Sequence, residues 1–343
     1  MSSIDDVARL AGVSTATVSR ALSGRGPVAA DTRDRVEAAA ARLGYVVSSS
    51  ASSLASGRTR NIGVMVPLLD MWFFSTVLSG ITATLMQSGY DITLYNLTID
   101  RDERERIFDT FLRRQRVDGV ILIAITLDER ESARLRELDL PVVAIGGPSA
   151  AATVAATTLT VDDVAVGRLA TEHLLEQGHR VIAHIGADGS GDRHHVPTLR
   201  RRGFEEALAD ASIPVRPELV VSTDFTLQGG ADATRLLLDG GGTGVAPTAI
   251  FAASDELAVG ALTAARERGV RVPEDLSVVG VDGSELGAFF RLTTVDQFPL
   301  GQGERAATTM LAELEASDDR TPQPGETLPF ELVVRGSTAP PAR

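Results

Sequence analysis

From Asn61 onward the chain alternates short unbroken apolar runs with amphipathic stretches, and no other feature limits its fold so tightly. Strand-like runs fall at 62–66 (IGVMV), 91–96 (DITLYN), 119–125 (GVILIAI), 141–146 (PVVAIG), 181–186 (VIAHIG), 218–223 (ELVVST), 248–254 (TAIFAAS) and 276–282 (LSVVGVD). Helical periodicity occupies 76–88, 102–116, 164–177, 200–211, 228–239 and 256–268 between them. Val- and Ile-rich strands without polar alternation must be covered on both faces, and helices between them supply crossovers, so parallel sheets are expected. The strands divide into two doubly wound α/β units, with a first boundary near residue 160. Ligands of such sheets sit beyond the carboxyl ends of the strands, which makes a cleft between the two units the expected pocket.

The first residues follow a different pattern. Positions 4–22 read IDDVARLAGVSTATVSRAL, two short amphipathic helices around a turn at Gly12. Val7, Leu10 and Ala11 share an inward face in the first helix, while Asp5, Asp6 and Arg9 stay solvated. Ser14 is the expected N-cap of a helix over 15–22 that turns Val18 and Leu22 inward and Thr15, Ala16, Thr17 and Arg20 outward. A third helix, 32–43, is expected behind a cap at Asp31, burying Val36, Ala39, Ala40 and Leu43. The segment fits a plain three-helix bundle as well as a helix-turn-helix head for the DNA major groove. In the second case Ala16 offers only contact with a thymine methyl, and Arg20 the strongest polar contact, to guanine or phosphate. Ser14, Ser19 and Thr32 complete the DNA-contact candidates of the head.

The net charge of −13 argues against nucleic acid only until it is divided along the chain. Residues 1–60 hold eight arginines against five carboxylates, and the remainder 25 against 41. Because counterion release is local, an acidic body does not prevent a basic head from binding phosphates. All 33 basic residues are arginine, which removes a P-loop lysine, a pyridoxal-phosphate Schiff base and lysine dyads. With no cysteine there is neither a disulfide framework nor a thiolate metal site. No apolar run approaches eighteen residues and the N-terminus is polar, so a soluble cytoplasmic protein without membrane attachment is expected.

The run AGVSTATVSRALSG, followed by TRDRVEAAAARLGY and RTRNIGVMVP, resembles the lactose-repressor (LacI/GalR) family of bacterial transcription regulators. The resemblance continues in order through GHRVIAHIG, RRRGFEEAL, AIFAASDELAVGAL, DLSVVGVDGSE, LTTVDQ and FELVVRGST. It implies a helix-turn-helix head (1–45), a hinge (46–60) and two subdomains of periplasmic-binding-protein type. The chain would cross between these subdomains three times, giving 61–160 with 297–319 and 161–292 with 321–338; DDVAVG and LTTVDQ mark two crossings. It also implies a homodimer on near-palindromic operator DNA and control by a small sugar-like effector, with no cofactor. The hinge would fold on DNA with Ala51 among its small residues and Leu54 as the minor-groove wedge. Here it departs from many members, with Val47, Ser48 and Ser52 where Pro-Asn and an arginine are common, and its six serines disfavour helix. As a bare segment its composition also fits a flexible linker.

Effector candidates come from the strand ends. Asp282 closes LSVVGVD and can accept hydrogen bonds from adjacent hydroxyls or a ring N–H; it also suits a cap before Gly283, where the family often carries a second aspartate. Arg200, three residues before Gly203, stands at the family's effector-binding arginine. Phe225 matches an aromatic that stacks on ligands in some members and fits a buried core position as well. Ser254 and Asp255 replace a common Asn-Asp, and Asp255 also suits the cap of a helix from Glu256. In LLDMWFFS, where Asn-Pro-Phe-Phe is common, Trp72, Phe73 and Phe74 can form an aromatic wall or pack on the sheet; aromatics are only 4% of the chain, so three together are notable. His194 and His195 border the same cleft, without the spacing of a metal pair. The alternatives are a transporter's solute-binding protein, which would lack a DNA head, and a corepressor-type regulator sensing a nucleobase or sugar phosphate. No nucleophile elbow, phosphate loop or metal cluster supports an enzyme.

Overall fold

Three short helices open the computed structural model. The residues described are 2–23, 27–45, 58–97, 100–114, 116–146, 154–155, 157–187, 195–240, 245–316 and 325–342. They form two compact units, Met1–Asn61 with Gln115–Asp118, and the rest of the chain.

In the first unit Ser3 starts α1 (Ile4–Ala11) through a capping box with Asp6, and Gly12, at φ 67°, ends it in the left-handed conformation. Ser14 caps α2 (Thr15–Ser23), its hydroxyl accepting from Thr17 N at 3.2 Å. Helix α3 (Ala30–Leu43) begins earlier than expected, behind Ala29, which has no side-chain acceptor. Asp31 therefore lies inside the first turn, where its charge still favours the positive end of the helix dipole. The core is Val7, Ala8, Ala11, Val18, Ala21, Val36, Ala39 and Ala40. Leu10, expected inward, is 45% exposed: α1 buries a narrow stripe of 7, 8 and 11 and turns its flank outward. Leu22 is likewise only half-buried, with Ala21 beneath it in the core. The wedge candidate Leu54 and its neighbour Ala51 lie outside the described residues, as does most of the hinge.

The second unit carries two lobes. The first lobe runs β1 (Asn61–Val66), α4 (Trp72–Gln87), β2 (Asp91–Asn96), α5 (Arg101–Arg106), β3 (Gly119–Ile123), α6 (Glu129–Glu137), β4 (Val142–Ile145) and β5 (Thr157–Thr160). After α5 the helical stretch expected to 116 changes pitch, through a π turn at Ile107–Phe111 and a 3-10 turn at Leu112–Arg114, with Ile107, Phe108 and Leu112 all buried. The second lobe holds α7 (Asp163–Glu176), β6 (Ile182–Ala187), α8 (Val196–Asp210), β7 (Val220–Ser222), α9 (Leu227–Leu238), β8 (Ala249–Ala252), α10 (Asp255–Glu267), β9 (Ser277–Asp282), α11 (Glu285–Phe289) and β10 (Thr293–Asp296). The chain then forms α12 (Pro299–Glu315), β11 (Glu326–Thr327) and β12 (Glu331–Val333).

The first sheet has the order β11-β5-β4-β3-β1-β2 and the second β12-β10-β9-β8-β6-β7. Helix α12 packs on α4 and on the first sheet's core, so the chain returns to the first lobe after Gln297. Strand β11 then pairs in parallel with β5, Glu326 opposite Leu159. Strand β12 rejoins the second sheet, antiparallel to β10. The segment 321–338 is thus shared between the lobes rather than confined to the second; the two residues of β11 cover the open edge of β5.

The helix pairs over these sheets touch backbone to backbone. A Cβ on Gly203 of α8 would lie 2.0 Å from Val164 O of α7, and one on Gly167 would lie 2.1 Å from Arg200 O. The same reciprocal contact joins α4 to α12 through Gly80 and Gly303, and α9 to α10 through Gly230 and Gly260. The α7–α8 contact brings Asp163 and Arg200 to one place.

Candidate functional site

Strands β8 and β9 end side by side in the second sheet, and the residues following their carboxyl ends build the site. Arg200 reaches this point from α8, only 5% exposed. Each nitrogen of its guanidinium donates a hydrogen bond: Nε to Asp163 Oδ1 (2.9 Å), Nη1 to Ala253 O (2.5 Å) and Nη2 to Gln297 Oε1 (3.2 Å). Gln297 turns its amide the other way, donating from Nε2 to Asp282 Oδ1 at 2.9 Å. Asp282 Oδ1 is also 3.9 Å from Arg200 Nη1. Gln302 Nε2 donates to Gln297 O (2.8 Å) and fixes the linker. One cation therefore serves two buried carboxylates through a glutamine bridge.

Burial pushes the Asp282 carboxyl well above the ordinary range; Arg200 opposes this, while the carboxylates of Asp255 and Glu256 add to it. Asp163 is raised for the same first reason, again against the attraction of Arg200. Asp282 also adopts φ 125°, a region that side chains rarely enter, at the point where its carboxylate meets the bridge.

Asp255 (1% exposed) supports the turn from below, accepting from Ser284 N at 2.7 Å and Thr294 Oγ1 at 2.6 Å. Its carboxyl is pushed up to about 6, by burial, against those hydrogen bonds. Asp255 is the first residue of α10, and the cap is Ser254, whose hydroxyl accepts from Leu257 N at 3.3 Å. The expected division between the two is thus reversed, and both side chains are committed to holding the site. Phe225 packs against the second lobe's core, and Phe73 and Phe74 against that of the first, edge to face at 5.5 Å. Trp72, beside them, opens α4, and its N–H donates to Glu256 Oε1 at 3.0 Å, a bond between the lobes. His195 is exposed at the start of α8; His194 lies outside the described residues.

In the first unit Ser14, Ala16, Ser19 and Arg20 are exposed, and Thr15, Thr17 and Thr32 half-buried. Arg20 Nε donates to Ala16 O at 3.2 Å, which lays the side chain along α2. Among the described residues no group of His, Cys, Asp or Glu could hold a metal, and no helix is long and apolar enough to cross a membrane. A separate cavity of about 320 Å³ in the first lobe is lined by Arg104, Asp109, Glu131 and Arg134 among others, and its charges satisfy one another, as in Arg104–Glu131 at 2.6 Å.

Residues 3–48 match the model of bacterial regulatory proteins of the lacI family, and residues 171–338 that of a periplasmic binding protein-like domain. Catabolite control protein A of Priestia megaterium is 31% identical over 98% of both chains. The chain belongs to the LacI family. Among solved structures, the Lac repressor dimer bound to operator and the anti-inducer ONPF aligns over 98% of this chain and 99% of that one, with a TM-score of 0.83 and 28% identity. The transcriptional regulator CelR in complex with cellobiose aligns over 98% and 100%, with a TM-score of 0.71 and 31% identity.

Against the family pattern, Gly283 now has a physical reason. A Cβ there would lie 2.3 Å from the Asp296 carboxylate, and φ is 78°, so a second aspartate would collide with Asp296. Asp163 and Gln297 escaped notice as site residues, although both stand in the segments DDVAVG and LTTVDQ that mark LacI-family crossings. Their signal is a polar residue just beyond a crossing, Gln297 directly after β10 and Asp163 opening α7. His184 was also missed: it is stacked between Phe204 and Phe251, donates from Nδ1 to Phe251 O, and is held neutral by burial, which drives it down to about 3.

Proposed function

We propose that this LacI-family regulator is a transcriptional repressor whose DNA affinity is set by a small polyhydroxylated effector, a sugar or sugar derivative, bound beside Asp282 and Arg200. The observation that carries this is the Asp163–Arg200–Gln297–Asp282 chain at the ends of the second sheet. Because Asp163 already neutralises Arg200, the site suits neutral hydroxyls better than phosphate or carboxylate oxygens. The cellobiose complex of CelR supports a sugar, and the acidic body favours an uncharged one. The head (1–45) would read operator DNA through Thr15, Ala16, Thr17 and Arg20, with Ser14, Ser19 and Thr32 beside them. The hinge (46–60) would carry Ala51 and the wedge Leu54. Two copies would meet through an apolar face that includes Leu286, Phe289 and Phe290, of which Phe289 is 82% exposed, as two half-sites require. Its place of action would be the cytoplasm, where operator DNA would be met.

The test is a thermal-shift screen of the full chain against neutral sugars, sugar phosphates, nucleobases and polyols, followed by operator titrations with any stabilising compound. A ligand that binds only the folded state raises Tm with its concentration. A neutral sugar that both stabilises the protein and changes operator affinity is the expected result. Stabilisation by anionic ligands alone would overturn the effector class.

A further inference from the structure

We propose that Glu256 is a latch between the lobes, whose carboxylate caps the first lobe's α4 from the second lobe's α10 and so holds one arrangement of the two. The first N–H groups of a helix have no partner within it, and a side chain at the N-cap usually supplies one. In α4 the N-cap is Met71, which offers no acceptor. Glu256, 184 residues further along the chain, accepts from Trp72 N at 3.0 Å instead. The cap thus exists only while the lobes stand as they do here. The bond needs a backbone N–H at position 72, which tryptophan carries and which proline, placed there in many relatives by the resemblance, lacks. Glu256 is half-buried, and Asp70 nearby repels it. It therefore has a reason to leave as well as one to stay, which is the property a reversible latch needs.

The bond can be broken from either side, and from the Glu256 side without touching an effector candidate. Trp72→Pro removes the N–H while leaving a residue that suits the first position of a helix. Glu256→Ala removes the acceptor without altering α4, and Glu256→Gln keeps an acceptor oxygen. Since the chain has no cysteine, Met86→Cys on α4 and Leu236→Cys on α9, both at exposed positions, give a clean spin-label pair across the lobes. Pulsed electron paramagnetic resonance on the full chain, with no ligand added, then reads the distance directly and does not depend on the effector proposed above. Loss of a hydrogen bond to a charged acceptor should change the ratio of the two lobe arrangements about tenfold. Trp72→Pro and Glu256→Ala should each produce a second, longer distance, the double variant no more of it than either alone, and Glu256→Gln much less. Distance distributions identical to the parent's in both Trp72→Pro and Glu256→Ala would overturn the latch, as would effects of the two changes that simply add.

Discussion

Replacing Asp282 by asparagine separates a ligand-binding carboxylate from a structural one, because the two roles predict opposite changes in stability. The substitution is nearly isosteric, and asparagine has the same Cβ branching as aspartate, so the φ of 125° adds no strain that Asp282 does not already bear. Arg200 keeps its nearer partner, Asp163 at 2.9 Å, and loses only the carboxylate at 3.9 Å. The amide can still accept from Gln297 through its oxygen, as the carboxylate does at 2.9 Å. What disappears is a buried negative charge that desolvation already disfavours, next to Asp255 and Glu256. Folding should therefore be unharmed, with Tm equal to the parent's or higher by about 2–4 °C for each 1 kcal/mol of relieved burial. Effector binding should suffer, since a hydrogen bond to a charged group contributes about 1.5–3 kcal/mol, or roughly a 10- to 150-fold change in Kd. Differential scanning fluorimetry reads the first quantity, and operator fluorescence anisotropy titrated with the effector reads the second. Operator affinity without effector should not change. An unchanged effector midpoint would remove Asp282 from the binding site, and a Tm several degrees lower would make it a structural residue.

Three further outcomes follow from particular contacts. Asp255 titrates near 3.8 in the unfolded chain and at about 6 when folded, so the unfolded state releases its proton first and stability falls as pH rises between these values. The loss is up to about 3 kcal/mol and levels off above pH 6; urea unfolding at several pH values should show a steeper fall in the parent than in Asp255→Asn, whose remaining slope comes from the buried carboxyls of Asp163 and Asp282, and a difference that grows the other way contradicts it. Gly283→Asp should cost at least the ~1–3 kcal/mol of an overpacked site, because its Cβ meets the Asp296 carboxylate at 2.3 Å, and Asp296→Gly in the same chain should recover the part due to that collision but not the strain of a side chain at φ 78°. The idea fails if the single variant unfolds at the parent's urea midpoint. Arg20→Ala should weaken operator binding about 5- to 150-fold if the arginine reads a guanine, and reduce the salt slope by about 1 if it pairs with a phosphate. Anisotropy titrations at several salt concentrations distinguish the two, and no change in either quantity would exclude Arg20 from the interface.

The elements legible in the sequence are those whose pattern is local. Unbroken apolar runs locate β1, β3, β4, β6, β8 and β9, because a strand buried on both faces needs no partner to be recognised. By contrast β5 (TTLT) is half polar, and β11 is two residues long, so each is a strand only because a neighbour pairs with it. The cap of α3 is Ala29, although Asp31, two residues later, fits the same local rule better. In the site, Arg200 and Asp282 stand in recognisable motifs, whereas the partnerships of Arg200 with Asp163, 37 residues away, and with Gln297, 97 away, depend on the α7–α8 glycine contact and a chain crossing. Glu256 is further out of reach, since its partner is a backbone N–H on the other lobe.

Helix α10 connects these pieces. Its cap, Ser254, follows β8; its first residue, Asp255, holds Ser284 N and Thr294 Oγ1 beneath the Asp282 turn; its second, Glu256, holds Trp72 N of the first lobe. Successive residues of a helix point about 100° apart, so one rigid turn can face the ligand site and the opposite lobe at once. A shift of the Asp282 turn that moved Asp255 would tilt the same helical turn that carries Glu256. Interiors are close-packed, and such a displacement is transmitted rather than absorbed. Asp255→Asn should then alter the inter-lobe distance even though Asp255 touches neither Trp72 nor α4, whereas an effect of Asp255→Asn confined to stability would show that the first turn of α10 joins the two contacts only in sequence.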